Sequence, residues 1–356
     1  MKILDWRSRG EKMVTSLWRS QADRPSPGPV GRGWNAVHSR IVAQRVASRP
    51  ASSGRPLIVS VGNLALGGTG KTPVVIALAQ SLAARGHTGA VLTRGYRSPL
   101  AGPLVVQADN EKAGDEARLL AQVLKPQGWT VVQAKVRAAG LRHILAAPSP
   151  PDVVLLEDGH QTAGVGRDLD IVILDHWEIE STPEGSQVVP KTGSVVPFGP
   201  WRESAQGAQR AQVWLIETDE KLPDRGAGGS QVVTFERSFA CRAVHPGGEH
   251  GDLPTRACLV SGIARPERFE ASVQQMIGGG ALLAVRLTDH EPYDLPLVNR
   301  IGRAMDQAGC ESLVTTAKDW VKFAPYWPGD LPAFVIDLGI TWGHGKALPD
   351  VVGERL

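Results

Sequence analysis

The stretch Leu57–Gly86, LIVSVGNLALGGTGKTPVVIALAQSLAARG, decides the fold. It runs from a short β-branched apolar segment through a glycine-rich turn into a helical run, with Gly86 as its stop. Such a turn exposes backbone N–H groups to phosphate oxygens, and the following helix adds its N-terminal dipole. The usual phosphate-loop pattern is G-x-x-x-x-G-K-[ST]. Here Ala65 occupies the first glycine position, so the loop poses a question about its own competence. The half that touches phosphate is intact. Ala65, Leu66, Gly67, Gly68, Thr69, Gly70, Lys71 and Thr72 are the expected nucleotide contacts, with Lys71 on the β/γ-phosphates and Thr72 on Mg²⁺. The plain alternative is a glycine-rich strand-to-helix turn with no ligand. The strand before, the helix after and the Lys-Thr pair favour the phosphate site.

Outward from this core the pattern continues to alternate. GAVLTRG, WTVVQA, DVVLLED and LDIVILD read as short strands, and GDEARLLAQVL and KVRAAGLRHILAA read as the helices between them. This alternation predicts an α/β fold: a P-loop-containing, doubly wound parallel sheet. A second alternation, ACLVSGI to AFVIDL, predicts a second, smaller α/β domain. KLPDRGAGGS (221–230) is the candidate linker, so the expected domains are 56–220 and 231–356, preceded by a basic segment, 1–55. Glu157 and Asp158 end an apolar strand. Beside a phosphate loop, that position suits a Mg²⁺ carboxylate better than a mere turn.

Composition narrows the classes. The three cysteines form no C-x-x-C pair, which argues against a disulfide framework or zinc site. No apolar run is long enough to span a bilayer, and the first residues carry no secretory core, so export is not expected. The net charge of +3 is uneven: residues 1–60 hold eleven Lys/Arg against Asp5, Glu11 and Asp23. Trp6, Met13, Val14, Leu17 and Trp18, and then Trp34, Val37, Ile41, Val42 and Val46, recur at near-helical spacing among these basic residues. Two basic amphipathic helices lying on an anionic membrane surface are expected. A solvated basic helix and a nucleic-acid arm are the alternatives.

Nine segments in order resemble the tetraacyldisaccharide 4'-kinase family of lipid A biosynthesis. They are VSVGNLALGGTGKTPVV, LTRGY, AGDEARLLA, LLEDGHQ, RDLDIVILD, VPFGPWRES, SGIARPERF, DHEPY and TTAKDWVKF. The family's loop likewise often lacks the first glycine. The resemblance implies an enzyme with ATP and Mg²⁺ that phosphorylates the 4'-hydroxyl of an acylated glucosamine disaccharide 1-phosphate. It also implies a peripheral location at the cytoplasmic face of the inner membrane, with neither a nucleic-acid nor an obligate protein partner. Asp115 falls at the family's catalytic acid, His290 at its partner, and Lys71 joins them in catalysis. Arg137 and Arg202 match charged positions near phosphates or substrate, and Glu203 joins Thr72, Glu157 and Asp158 as a metal position.

On the residues alone, Asp115 and Glu116 are acids at a helix start, favoured there by the dipole whatever their function. Two departures from the family pattern stand out. Glu157 replaces the first Asp of an acidic pair, and Thr162 replaces a histidine while His160 lies two positions earlier. A diverged paralogue acting on another acceptor, a P-loop switch protein and an inactive membrane-bound homologue are the competing readings. TTAKDW holds Lys318 and Asp319 but lacks the Asn of a guanine-specificity element.

Overall fold

The computed structural model describes residues 1–8, 12, 29–47, 56–67, 70–245, 256–289, 293–328 and 331–356. Its strands begin with β1 (Lys2–Asp5), β2 (Leu57–Asn63), β3 (Gly89–Thr93), β4 (Leu104–Val105), β5 (Thr130–Gln133), β6 (Val153–Glu157) and β7 (Leu169–Leu174). A hairpin of β8 (Trp177–Thr182) and β9 (Gly185–Pro190) follows, then β10 (Val213–Glu217) and β11 (Gln231–His245). The last four are β12 (Ala257–Ser261), β13 (Ala281–Arg286), β14 (Ser312–Thr316) and β15 (Ala333–Trp342).

The chain divides into two compact units, Ser16–Arg237 with Ile340–Leu356, and Met1–Thr15 with Ser238–Gly339. In the larger unit the strand order is β10-β7-β2-β6-β3-β5-β4, parallel except for the short edge strand β4. Strand β2 is buried along its whole length, as an unbroken Leu-Ile-Val run in mid-sheet should be. Its side chains alternate between layers. Leu57, Val59 and Val61 pack with the helices Lys71–Ala84 and Asp115–Leu124, while Ile58 packs with Ile144 of the helix Arg137–Leu145 on the other face. β2 sits between β6 and β7, and β6 sits between β2 and β3. The turns after β2, β3 and β6 therefore crowd together at one edge, where a doubly wound sheet binds ligands.

In the smaller unit the order is β1-β13-β12-β14-β15, again parallel. The fold class read from the sequence is the one observed. The division of the chain is not at 221–230. Gly226 N–H donates to Ser230 O at 2.8 Å, which makes that stretch a tight turn leading into β11 within the larger unit. The last residues also return to the larger unit: Leu348, Val351 and Val352 of the helix Leu348–Gly353 pack into its core beside Leu78 and Leu82.

The basic front end divides too. Residues 2–5, ahead of the first expected helix, form an edge strand, and Leu4 and Trp6 pack on the core of the smaller unit with Arg300 over the Trp6 ring at 3.7 Å. Most of the first predicted helix, including Met13–Trp18, lies outside the described residues. The second exists as the helix Pro29–Ala47. Among the described residues, no helix is long and apolar enough to cross a membrane.

Because Leu348 is fully buried in the larger core, Leu348→Ala should cost about 2–4 kcal/mol. Urea unfolding followed at equilibrium checks this. A loss below about 0.5 kcal/mol would contradict the placement of the C-terminal helix.

Candidate active site

The phosphate loop is anchored before it turns. Arg202 N–H donates to Leu64 O at 2.6 Å, Leu66 N–H donates to Pro200 O at 2.7 Å, and Ala65 forms a bridge with Trp201. The Ala65 methyl is buried with Leu64, Val195 and Trp201, so this position is part of a hydrophobic cluster. A glycine there would supply freedom that the strand-like pairing does not use. The glycines that matter come later: Gly67 at φ 98° and Gly70 at φ 85° adopt left-handed backbone before the helix starts at Lys71. Gly68 and Thr69 lie outside the described residues. Lys71 Nζ donates to Asn63 Oδ1 at 3.3 Å, and Asn63 Nδ2 donates to Ala65 O at 2.7 Å.

At the end of β6 the two acids are in opposite electrostatic states. Glu157 is buried and accepts from Thr72 Oγ1 at 3.5 Å and from Thr93 Oγ1 at 3.0 Å. Burial, reinforced by the charges of Glu116 and Asp158, pushes its carboxyl up to about 7, against the opposing pull of Lys71 and Arg137. Burial also acts on Asp158, but Lys71 at 3.7 Å and Arg202 outweigh it and hold that carboxyl at about 2. Both Asp158 oxygens accept from Arg202 Nη1 at 2.7 Å. Asp158 takes φ 56°, a left-handed conformation that turns the chain sharply after the strand.

Thr72 and Glu157 come together as a magnesium site requires, while Asp158 beside them is tied to Arg202. Glu203, expected as a further ligand, does not join them. It is buried, with Oε1 accepting from Gln161 Nε2 and Oε2 from Arg210 Nη2, both at 2.7 Å. Among the described residues, no three His, Cys, Asp or Glu side chains are grouped to hold a metal by themselves. Mg²⁺ needs no such cage when phosphate oxygens complete its shell. A Thr hydroxyl and a buried carboxyl with a raised pKa beside the phosphate loop fit that partial site.

Arg137 also differs from expectation. It is buried, donating to Leu92 O at 2.8 Å and Glu157 O at 2.5 Å, and so ties the ends of β3 and β6 together. A guanidinium spent on those carbonyls holds the sheet edge and does not reach out to grip a substrate. Arg202 does lie at the site, paired with Asp158. Asp115 opens the helix Asp115–Leu124, and Gly114 before it packs against Gly95, so that this helix start meets the turn after β3. His290 lies outside the described residues. His160, the displaced histidine, is fully buried between Asp170 Oδ2 and Gly207 O, each at 3.0 Å. Thr162 presents its carbonyl to Arg167 at 2.7 Å.

Thr93, Asn63, Gln161 and Arg210 were not singled out from the sequence. Thr93 ends the GAVLT strand, and Asn63 and Gln161 lie within the loop and LLEDGHQ segments, whereas Arg210 lies in none of the quoted segments.

The profile of the Tetraacyldisaccharide-1-P 4'-kinase family matches residues 32–350. The chain belongs to this family. Members similar to it include the tetraacyldisaccharide 4'-kinases of Maricaulis maris, 34% identical over 90% of this chain and 89% of that protein, and of Anaeromyxobacter dehalogenans strain 2CP-1, 35% identical over 78% and 74%. The crystal structure of the "apo" form of LpxK from Aquifex aeolicus in complex with ATP shares the fold. Its TM-score is 0.67 at 22% identity, over 90% of this chain and 97% of that one.

The alanine at position 65 now has a physical account in this chain. Ala65→Gly should leave ATP affinity within about twofold and lower stability by roughly 1 kcal/mol, through lost burial and added backbone freedom. Calorimetric titration and urea unfolding read the two effects. Tighter ATP binding would show instead that the alanine compromises the loop.

A second prediction concerns Glu157. Its folded pKa lies above the unfolded value, so the native protein holds a proton that the unfolded chain releases between about 4.5 and 7. Stability from this group therefore falls as pH rises through that window and is lowest above it. Glu157→Gln should gain roughly 1–3 kcal/mol over the parent at pH 8, and much less at pH 4.5. A pH-independent gain would contradict the burial argument.

Proposed function

We propose that this chain transfers the γ-phosphate of ATP to the 4'-hydroxyl of a tetraacylated glucosamine disaccharide 1-phosphate. The observation that carries the reading is the meeting of Lys71, Thr72 and Glu157 with the acidic helix start at one sheet edge, in a chain of this family. The field of Glu116 on the Glu157 carboxyl supports the nearness of that helix start.

Asp115 acts as the general base. A sugar hydroxyl attacks phosphorus well only as its proton is removed, so the Asp115 carboxylate takes that proton while the new O–P bond forms and the bond to ADP breaks. The resemblance to the family assigns His290 as the partner of this base. Lys71 steadies the β- and γ-phosphates. Arg202, already beside Lys71 through Asp158, balances charge on the transferred group. Thr72 and the ionised form of Glu157 would hold Mg²⁺, which would supply charge neutralisation at the phosphates. Asp115→Ala should lower turnover by about 10²–10⁴-fold in a mixed-micelle assay with labelled ATP, while ATP affinity stays roughly intact. Loss of ATP affinity instead would move Asp115 into the nucleotide site.

The acceptor is a lipid, so the protein must meet a membrane at its cytoplasmic face. The helix Pro29–Ala47 serves that contact. Trp34 turns inward, donating to Val196 O at 2.6 Å and resting on Phe198, while Val37, Ile41 and Phe198 remain exposed beside Arg32 and Arg40. Exposed apolar side chains among arginines suit the headgroup layer of an anionic bilayer. In flotation with phosphatidylglycerol vesicles, the double variant Val37→Asp, Ile41→Asp should lose most of the binding seen for the parent chain. Undiminished flotation would remove this helix from the contact.

A further inference from the structure

Gln133, the last residue of β5, is fully buried and has no part in the chemistry just described. Its carboxamide joins three separate pieces of chain. Oε1 accepts from Gly114 N–H at 2.9 Å, and Nε2 donates to Ser98 Oγ at 2.9 Å and to Leu100 O at 3.2 Å. Ser98 Oγ in turn donates to Lys112 O at 2.6 Å and accepts from Leu100 N–H at 3.1 Å. One amide and one hydroxyl thus bind the turn after β3 to the lead-in of the helix that Asp115 opens.

The fit leaves no slack. A methyl group on Gly95 would stand 2.0 Å from Gln133 Cδ, and Gly95 takes φ 67°. A methyl on Gly114 would stand 3.1 Å from the Gly95 α-carbon. Gly114 caps the helix by backbone alone, with no side-chain hydrogen bond at that end. Its N–H is held by Gln133 and is the last fixed backbone donor before Asp115. A residue whose reach matters to catalysis therefore hangs from a peptide whose position is set by one buried carboxamide.

We propose that Gln133 is a positioning residue for the general base, fixing the backbone from which Asp115 projects toward the acceptor hydroxyl. The inference rests on the assignment of Asp115 as that base. Only a carboxamide serves all three contacts, because leucine offers neither donor nor acceptor, ionised glutamate offers acceptors alone, and protonated glutamate offers one donor where two are used. Misplacing a reacting group by about 1 Å can cost about 10²-fold in rate.

The test uses the full chain in mixed micelles, comparing Gln133→Leu, Gln133→Glu and Ser98→Ala with the parent and Asp115→Ala. Gln133→Leu should lower kcat about 10- to 100-fold with KM for ATP within about twofold. Gln133→Glu retains the acceptor for Gly114 and sets a second carboxylate near Asp115. It should recover part of kcat at high pH and move the acid limb of the pH profile upward by roughly half a unit or more. Ser98→Ala should fall between the parent and Gln133→Leu. A folded Gln133→Leu with parental kcat, or one losing ATP affinity in step with kcat, overturns the proposal. If Gln133→Leu does not fold, an unmoved acid limb in Gln133→Glu together with parental kcat in Ser98→Ala overturns it equally. Parental turnover in Asp115→Ala would sink the base assignment and this inference together. Loss of turnover there with parental turnover in the folded Gln133 variants would sink this inference alone.

Discussion

The site is organised around a carboxyl group that the fold has taken out of water. Glu157 ends a strand buried on both faces, and its neighbours offer two hydroxyls rather than a full counter-charge. Burying a carboxylate in that way is costly, so without a cation the group holds its proton to near neutral pH. The same cost makes the position selective. A divalent ion held there would favour the ionised form and offset that penalty. Thr72 belongs to the phosphate loop, so Thr72 and Glu157 would hold such a cation beside the loop, where it could supply charge neutralisation to phosphates.

The neighbouring acid solves the opposite problem. Asp158 faces Lys71 and Arg202, and these charges hold it ionised despite burial. A single peptide step, taken with left-handed backbone at Asp158, separates a carboxyl that resists ionisation from one that embraces it. A glutamate at 157 and an aspartate at 158 fit this division. The longer side chain reaches back to Thr72 and Thr93 from the strand end, while the shorter one at 158 stays with the cations.

Much of this was legible in the sequence, and the limits have physical causes. An unbroken apolar run, a glycine turn and a helix are local signals, and they located β2, the loop and Lys71. Strand ends located Glu157 and Asp158. What local pattern cannot carry is the identity of partners far along the chain. Glu203 read as a metal ligand because its type suited one, yet Arg210 and Gln161 occupy it. Arg137 read as a substrate grip, yet two strand-end carbonyls hold it. The C-terminal helix read as part of the second domain because it follows that domain in sequence, whereas Leu348 and Val352 found their apolar complement in the first. Ala65 is the instructive middle case. The missing glycine was visible, and its reason, a bridge to Trp201 in a hydrophobic cluster, required the distant segment that supplies it.

The charge at the site also bears on the order of events. Lys71 and Arg202 are positive, Asp158 negative, and Glu157 about half-protonated near pH 7, so these four groups together carry a small positive charge beside the loop. Lys71 is not idle in this state: it leans on Asp158 and Asn63. A triphosphate bound at the loop would exchange one anionic partner of Lys71 for another, so the lysine would not enter a low-dielectric site unaccompanied. The pre-existing ion pair keeps the lysine desolvated and aligned at modest cost, and the larger charge of the phosphates supplies the preference for the bound state.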